Sequence, residues 1–429
     1  MKFLISKIEE ETMAGIRVKD NEMIIANNVY YDMDCYKTKL NNNVLVVGTS
    51  GSGKTRSIVS PNILQAYGSY VISDPKGNLY EKYGIYLSNK GYKVRCVNFA
   101  QPEKSVGYNP LEYIQKEQDI VKIAHLIVGK IGEHADPFWD RAAELLLTAV
   151  IGLVWEKYHD GNSDKMNLVS VTKLLLKCNV EENLSELTNH LDEVFNSYGE
   201  FNQNSFAVRQ YSKFRIAAGK TLKSILISVF AKIGTLDTAQ IRNILKRDET
   251  DLYSVGKEKT ALFVVVSDTD RSMDSLANIF FSQTMQVLCS CADKMPDSRL
   301  PVDTRFILDD FATNVVIYDF PRMISSIRSR GISTMLMIQS EGQIEKSYGM
   351  DYKTIISNCD TYVYLGSNDV ETAKSISLRA DIPLKKVLNM PVQSCWVFRR
   401  GEEPVYTVQF DLDKYDDLFR QDYVSLRVI

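Results

Sequence analysis

Histidine is scarce in this sequence and cysteine is unorganised, and both facts remove chemistry. The four histidines form no HExxH and the seven cysteines form no CxxC. A zinc hydrolase or a zinc-finger scaffold is therefore not indicated. The closest thiols, Cys289 and Cys291, sit in an apolar, helix-like run, so the cysteines are expected to be reduced core residues of a cytosolic protein. No apolar run reaches the roughly 20 residues that a membrane-spanning helix needs. The longest, LLLTAVIGLVW, covers 145–155. The start, MKFLISKIEEETMAG, has too short an apolar stretch and too many acids for a signal peptide. A chain without a transmembrane segment is the expectation. Neither sign of charge dominates: the formal net charge is -3, so contact with nucleic acid would need a local basic patch. No repeat or low-complexity tract is visible.

What is present is a folded chain of 429 residues with 45% hydrophobic and 24% charged residues. That length predicts more than one structural unit. Residues 43–64 read NVLVVGTSGSGKTRSIVSPNIL: a strand, a glycine-rich loop, then a helix. Strand-like runs recur at the start of 69–80, at the end of 83–99 and, after a long gap, at 259–268, 305–312, 333–340, 360–367 and 394–410. Between about 118 and 249 the spacing is helical. The expectation is an α/β fold: a RecA-like P-loop NTPase core with a mostly parallel sheet, built from 1–117 and 250–429 and interrupted by an all-α domain at 118–249.

Residues 48–55, GTSGSGKT, match GxxxxGK[ST]. Gly48, Gly51 and Gly53 let the backbone curl, so that the N–H groups of Gly48, Thr49, Ser50, Gly51, Ser52 and Gly53 can face one anion. The following helix points its positive end at the same place. Lys54 supplies a point charge for the β- and γ-phosphates, and the Thr55 hydroxyl suits Mg²⁺. A second acid should close the metal site. FILDD, 306–310, offers Asp309 as the water-mediated Mg²⁺ ligand and Asp310 as the group that polarises the attacking water. ATP and Mg²⁺ are the expected cofactors. The separation of about 250 residues between loop and acids suits a large motor core better than a small nucleoside kinase.

From Phe201 to Gly234 there is no acid, and Arg209, Lys213, Arg215, Lys220, Lys223 and Lys232 are interleaved with Phe206, Tyr211 and Phe214. Cations that follow phosphates and rings that stack on bases would suit a single nucleic-acid strand. The competing reading is a solvated helix face with core aromatics.

Six segments in order resemble the type IV coupling proteins of bacterial conjugation, the TraG-like ATPases. They are the phosphate loop with its trailing helix, VISDPKGNLY with the later NPL, PFWDRAAELLL, KTALFVVVSDTD, FILDDFA, and SIRSRGISTMLMIQS. The resemblance covers the chain from about residue 40. It implies a hexameric motor at the cytoplasmic face of a secretion channel that takes a relaxase–single-stranded DNA complex and uses ATP. It also implies roles for Gln339 as a γ-phosphate sensor and Arg328 as an arginine finger toward a neighbouring subunit, with Arg330 as the alternative. The DPKG turn, with Asp74 and Lys76, lies at a strand end beside the phosphate loop, where α/β sheets bind ligands; a purely structural turn is the competing reading. Two positions depart from the family pattern. Asp310 stands where Glu is usual, and its carboxylate is one methylene shorter, so slow hydrolysis is expected. TNV replaces the usual NIG. Coupling for protein effectors alone, or a non-hydrolysing nucleotide-dependent receptor, are the alternative functions.

Overall fold

Side chains of the central strands alternate between two buried faces. Val44 and Val46 pack into one core, and Leu45 and Val47 into another. The same alternation separates Met335 and Met337 from Leu336 and Ile338. Continuous apolar runs of this kind are what a sheet covered on both sides requires. The computed structural model describes residues 18–129, 137–161, 163–177, 190–218, 221–313 and 315–413.

The strands are β1 (Glu22–Ala26), β2 (Val29–Asp32), β3 (Val44–Val47), β4 (Ser69–Ser73), β5 (Lys93–Asn98), β6 (Thr260–Val265), β7 (Thr304–Leu308), β8 (Ile332–Ile338), β9 (Thr361–Tyr364), β10 (Ser394–Arg399) and β11 (Val405–Val408). Nine of them form one sheet in the order β11-β10-β9-β3-β8-β7-β4-β6-β5. All pairs from β9 to β5 are parallel, and β10 runs antiparallel to both its neighbours. The order places β8 between the phosphate-loop strand β3 and the acid-bearing strand β7. Parallel strands share one carboxyl edge, and ligands of such sheets bind there.

One face of the sheet carries the β1–β2 hairpin and the helices Ser60–Leu64 and Asn78–Asn89. The other carries the helical block. Among the described residues between β5 and β6 there is helix and turn but no strand. The block shares its core with the sheet through the helices Glu117–Val128 and Asp274–Asp293. Gln283 ties the junction, accepting from the Tyr108 hydroxyl at 2.7 Å and donating to the Pro110 carbonyl at 2.9 Å.

The run FPRMISSIRSRG, whose apolar spacing reads as helical, is not one helix. It forms the helix Phe320–Ile324 and a separate tight turn, Arg328–Arg330, which Gly331 ends in left-handed backbone. Among the described residues no single helix is long and apolar enough to cross a membrane.

Candidate functional site

The phosphate loop leaves β3 at the carboxyl edge. Gly48 N–H donates to Ile338 O of β8, and Thr49 N–H donates to Gly366 O beyond β9. The loop is thus hung between both neighbouring strands. Its curl needs glycine at two tight points. A side chain at Gly48 would place Cβ 2.4 Å from Ser52 Oγ, and Gly53 has φ +95° with Gln409 Oε1 at 2.5 Å from any added Cβ. The helix that follows starts with a wide turn, Thr55–Val59, before the α-helix Ser60–Leu64. Ser57 N–H reaches Gly53 O four residues back at 2.8 Å, whereas Ser60 N–H reaches Thr55 O five residues back, and Pro61 has no N–H to offer the Ser57 carbonyl.

Lys54 is 7% exposed. Its ammonium donates to Gly48 O at 2.6 Å and to Thr49 O at 3.1 Å. Burial holds its pKa below the ordinary lysine value, and Asp310 and Asp309 oppose that shift. Asp309, 8% exposed, follows β7 directly. The Thr55 hydroxyl donates to its Oδ2 at 2.7 Å. Ser73, at the end of β4, donates to the Asp309 carbonyl at 3.1 Å. Burial pushes the Asp309 carboxyl above its ordinary pKa, and the Asp310 charge adds to this. The Thr55 hydroxyl and Lys54 act the other way.

Asp310 is half-buried and takes left-handed backbone, φ +54°, a conformation that Asp tolerates better than most residues. Its N–H donates to Asp309 Oδ1 at 3.2 Å. Gln339 follows β8 at the same edge, with its N–H held by Gln343 Oε1 at 2.8 Å. The edge therefore assembles Lys54, Thr55, Asp309 and Asp310, with Gln339 on the strand between. The donor set suits a hard cation with phosphate oxygens: a hydroxyl, a carboxylate and a buried ammonium beside a curled backbone. Ser52 Oγ is also buried without a hydrogen-bond partner among the described residues.

Other expected residues are not brought here. Asp74 is 2% exposed, but its carboxylate turns to the start of the Asn78–Asn89 helix and accepts the Tyr80 N–H at 2.9 Å. Burial raises its pKa, against further N–H donors from Leu79, Lys76 and Gly77. Lys76 lines a different crevice with Asn98, Lys104 and Ser267. The nucleotide role expected for Asp74 and Lys76 gives way to a helix-start role for the first and a separate crevice for the second. The reason is strand alternation: Ser73 sends its side chain toward Asp309, so Asp74, the next residue, faces the opposite side of the sheet.

Arg328 precedes β8, at the amino edge, and donates to Cys35 O at 2.9 Å. Arg330 pairs with Asp293 at 2.8 Å. The seven residues of β8 separate Arg328 from its own phosphate loop by about 20 Å.

The basic segment is also corrected. Phe206, Tyr211 and Phe214 lie on one helical stripe and are 6%, 4% and 0% exposed. Tyr211 stacks on Phe195 at 4.0 Å. These rings are core and cannot stack on bases. Arg215 pairs with Asp192 at 2.9 Å and Arg209 with Glu117 at 3.3 Å. Lys213 is exposed and Lys223 half-buried. Lys220 lies outside the described residues, as does Asn314 of the TNV segment.

Sequence reading missed Ser73, Arg56 and Gln409. Gln409 Nε2 donates to Ser52 O at 2.9 Å, and Asp413 pairs with Arg56. No local pattern marks residues that meet the loop from the far end of the chain.

Comparison with known proteins agrees with this geometry. The type IV secretory system conjugative DNA transfer family matches residues 5–380. A conjugal transfer protein TraG of Escherichia coli is 25% identical over 358 residues, covering 78% of this chain and 54% of that protein. The protein VirD4 of Rhizobium rhizogenes is 22% identical over 348 residues, covering 78% and 48%. The chain thus spans about half the length of these relatives.

Among solved structures, the plasmid coupling protein TrwB in complex with ADP and Mg²⁺ has a TM-score of 0.66 at 16% identity, covering 94% of this chain and 92% of that one. A TrwB complex with a non-hydrolysable ATP analogue has a TM-score of 0.66 at 16% identity, covering 94% and 91%. These likenesses establish that the chain shares the RecA-like α/β fold of TrwB, with its mostly parallel sheet covered by helices. With a family match over most of its length, and with the loop and acid strand meeting at one sheet edge, the chain belongs to the type IV secretory system conjugative DNA transfer family.

Proposed function

We propose that this chain is the ATP-dependent coupling motor of a type IV secretion (conjugation) system, which brings a relaxase–single-stranded DNA complex to the transfer channel. The observation that carries the reading is the Thr55–Asp309 contact at 2.7 Å, within a family whose TraG relatives bear conjugal-transfer names. The ADP and Mg²⁺ of the TrwB complex support the same cofactors here.

In this reading the N–H groups of residues 48–53 and the Lys54 ammonium hold the triphosphate. Thr55 and Asp309 would hold Mg²⁺, which, when bound, would supply charge neutralisation at the transferring phosphoryl group. Asp310 orients the attacking water. Gln339, at the end of the strand between loop and acids, reads the γ-phosphate. Arg328 cannot reach its own site, so it serves a neighbouring copy in a homo-hexamer. The helical block at 118–249 forms the inserted domain. The assembly sits at the cytoplasmic face of the membrane against channel components.

The test is phosphate release by size-fractionated wild type and Lys54→Ala, with and without single-stranded DNA. DNA-stimulated release that Lys54→Ala abolishes supports the motor. Release without DNA stimulation assigns the machine to protein cargo. Release no greater than that of Lys54→Ala makes it a nucleotide-dependent receptor.

A further inference from the structure

β11 runs in the same direction as β3, because β10 is antiparallel to both β9 and β11. Its end therefore lies at the edge that carries the phosphate loop. The chain then crosses that edge. Gln409 N–H donates to Gln393 O at 2.7 Å, and Val408 O accepts from Asn27 N–H at 3.1 Å. Phe410 and Leu412 are 3% and 4% exposed and join the core that holds Val59 and Ile63. Asp413 then pairs with Arg56, next to Thr55. Residues 409–413 form a strap anchored on both sides of the loop, and they lie beyond the family match, which ends at residue 380.

Within this strap the Gln409 side chain touches one peptide of the loop. Its Nε2 donates to Ser52 O at 2.9 Å, and its Oε1 rests against Gly53. A trans peptide is planar, with C=O and N–H pointing in opposite directions, and no peptide among the described residues is cis. Holding the Ser52 carbonyl therefore turns the Gly53 N–H away from Gln409. Gly53, at φ +95°, has the conformational freedom to let this peptide flip, so something outside the loop must fix it.

We propose that Gln409 is a positioning residue for the phosphate loop: it grips the Ser52 carbonyl and so aims the Gly53 N–H at the triphosphate. The inference rests on the nucleotide reading above and deepens it. An amide that is already aimed gives its hydrogen bond without reorganisation, which is the benefit of preorganised donors. Gln409 touches no reacting atom; it acts through the loop.

The experiment measures equilibrium binding of Mg-ADP and of a non-hydrolysable Mg-ATP analogue to the full chain, with thermal melting of the nucleotide-free protein alongside. Gln409→Ala loses one hydrogen bond and should weaken both nucleotides about fivefold to tenfold. Gln409→Glu is nearly isosteric but cannot donate, and it adds negative charge near the phosphates, so it should weaken them further. Gln409→Lys restores a donor and should return affinity to within about twofold of wild type. Melting of the nucleotide-free protein should fall by no more than about 3 °C in any of the three, the loss one hydrogen bond allows. Wild-type affinity in both the Ala and Glu variants overturns the proposal. So does equal weakening in all three, which would mark simple packing. If wild type binds neither nucleotide, the site reading itself fails, and that result differs from every pattern above.

Discussion

Thr55 and Asp309 are 254 positions apart in sequence, and their side chains meet at 2.7 Å. Each comes from a different strand's carboxyl end, and the contact exists because β8 sets β3 and β7 two strands apart. A hydroxyl and a carboxylate at that separation can share one hydrated cation. Asp309→Asn keeps the shape but removes the charge. Its expected effect is a 10- to 100-fold loss of Mg²⁺ affinity, of the order of about 10–100-fold seen for indirect metal partners. Titrating Mg²⁺ against nucleotide binding checks it; Lys54→Ala, which should weaken nucleotide binding with and without Mg²⁺, serves as the contrast.

The same carboxyl carries a pH signature. Burial raises its pKa in the folded chain. A carboxyl raised on folding holds its proton more tightly in the folded state, so its contribution to stability is full below the ordinary carboxyl pKa. It is lost as pH rises from that value through the raised one. Above this window the buried charge is a net cost to the metal-free chain. Asp309→Asn should therefore raise the melting temperature at neutral pH by about 1–3 °C and have no such effect at low pH. Mg²⁺-dependent binding should in turn weaken as pH falls into the window, because the metal needs the carboxylate. Melting curves and nucleotide titrations across pH test both directions.

Much of this site was legible because its signals are local. GTSGSGKT specifies a curled backbone through its own glycines, and FILDD specifies a buried strand that ends in acid. The mostly parallel sheet followed from strand-like runs that alternate with helix-like ones. What failed depended on tertiary neighbours. Asp74 looks like a ligand until the Tyr80 N–H claims it. The aromatics 206, 211 and 214 looked like a stacking platform because cations surround them, although their spacing already described one buried stripe. Gln409 carries no local signal, since its partner Ser52 is 357 positions away.

Asp310 offers a gain-of-function test. A glutamate there would carry the carboxylate about an ångström further, and misplacement on that scale can cost about 10²-fold. Asp310→Glu should raise turnover by up to about 10²-fold with little change in KM. The left-handed backbone at φ +54° favours Asp over Glu, so the variant should also lose about 1 kcal/mol of stability. Steady-state kinetics and urea unfolding read the two effects separately. Unchanged turnover would mean that the shorter acid already reaches its water.

The helical block has its own weak point. Lys232 Nζ lies 2.9 Å from the Asp140 carboxylate, which is 1% exposed, and also donates to Val128 O at 2.9 Å. It thereby joins the helices Leu222–Ile233, Phe138–Tyr158 and Glu117–Val128. Lys232→Met would strand a buried charge and should cost about 3–5 kcal/mol. Adding Asp140→Leu should recover most of that loss, because an apolar pair replaces a buried ion pair without strain. Urea unfolding of the two variants separates the cost of an orphaned charge from the worth of the pair.

Arg328 carries a prediction about assembly. The length of β8, about 20 Å, lies between it and its own phosphate loop, and its guanidinium holds Cys35 O at the amino edge. A catalytic role therefore requires a second copy to present its carboxyl edge to this surface. Arg328→Ala should then fold and bind nucleotide as wild type does, but lose about 10³-fold or more in turnover. Lys54→Ala should bind nucleotide poorly and keep its arginine. Mixed in equal amounts, the two inactive variants should regain activity, because some interfaces pair an intact loop with an intact arginine. Recovery should rise with protein concentration and vanish on dilution below assembly. If the mixture stays inactive while size fractionation shows mixed oligomers, Arg328 is a structural link to Cys35 and the finger must be sought elsewhere.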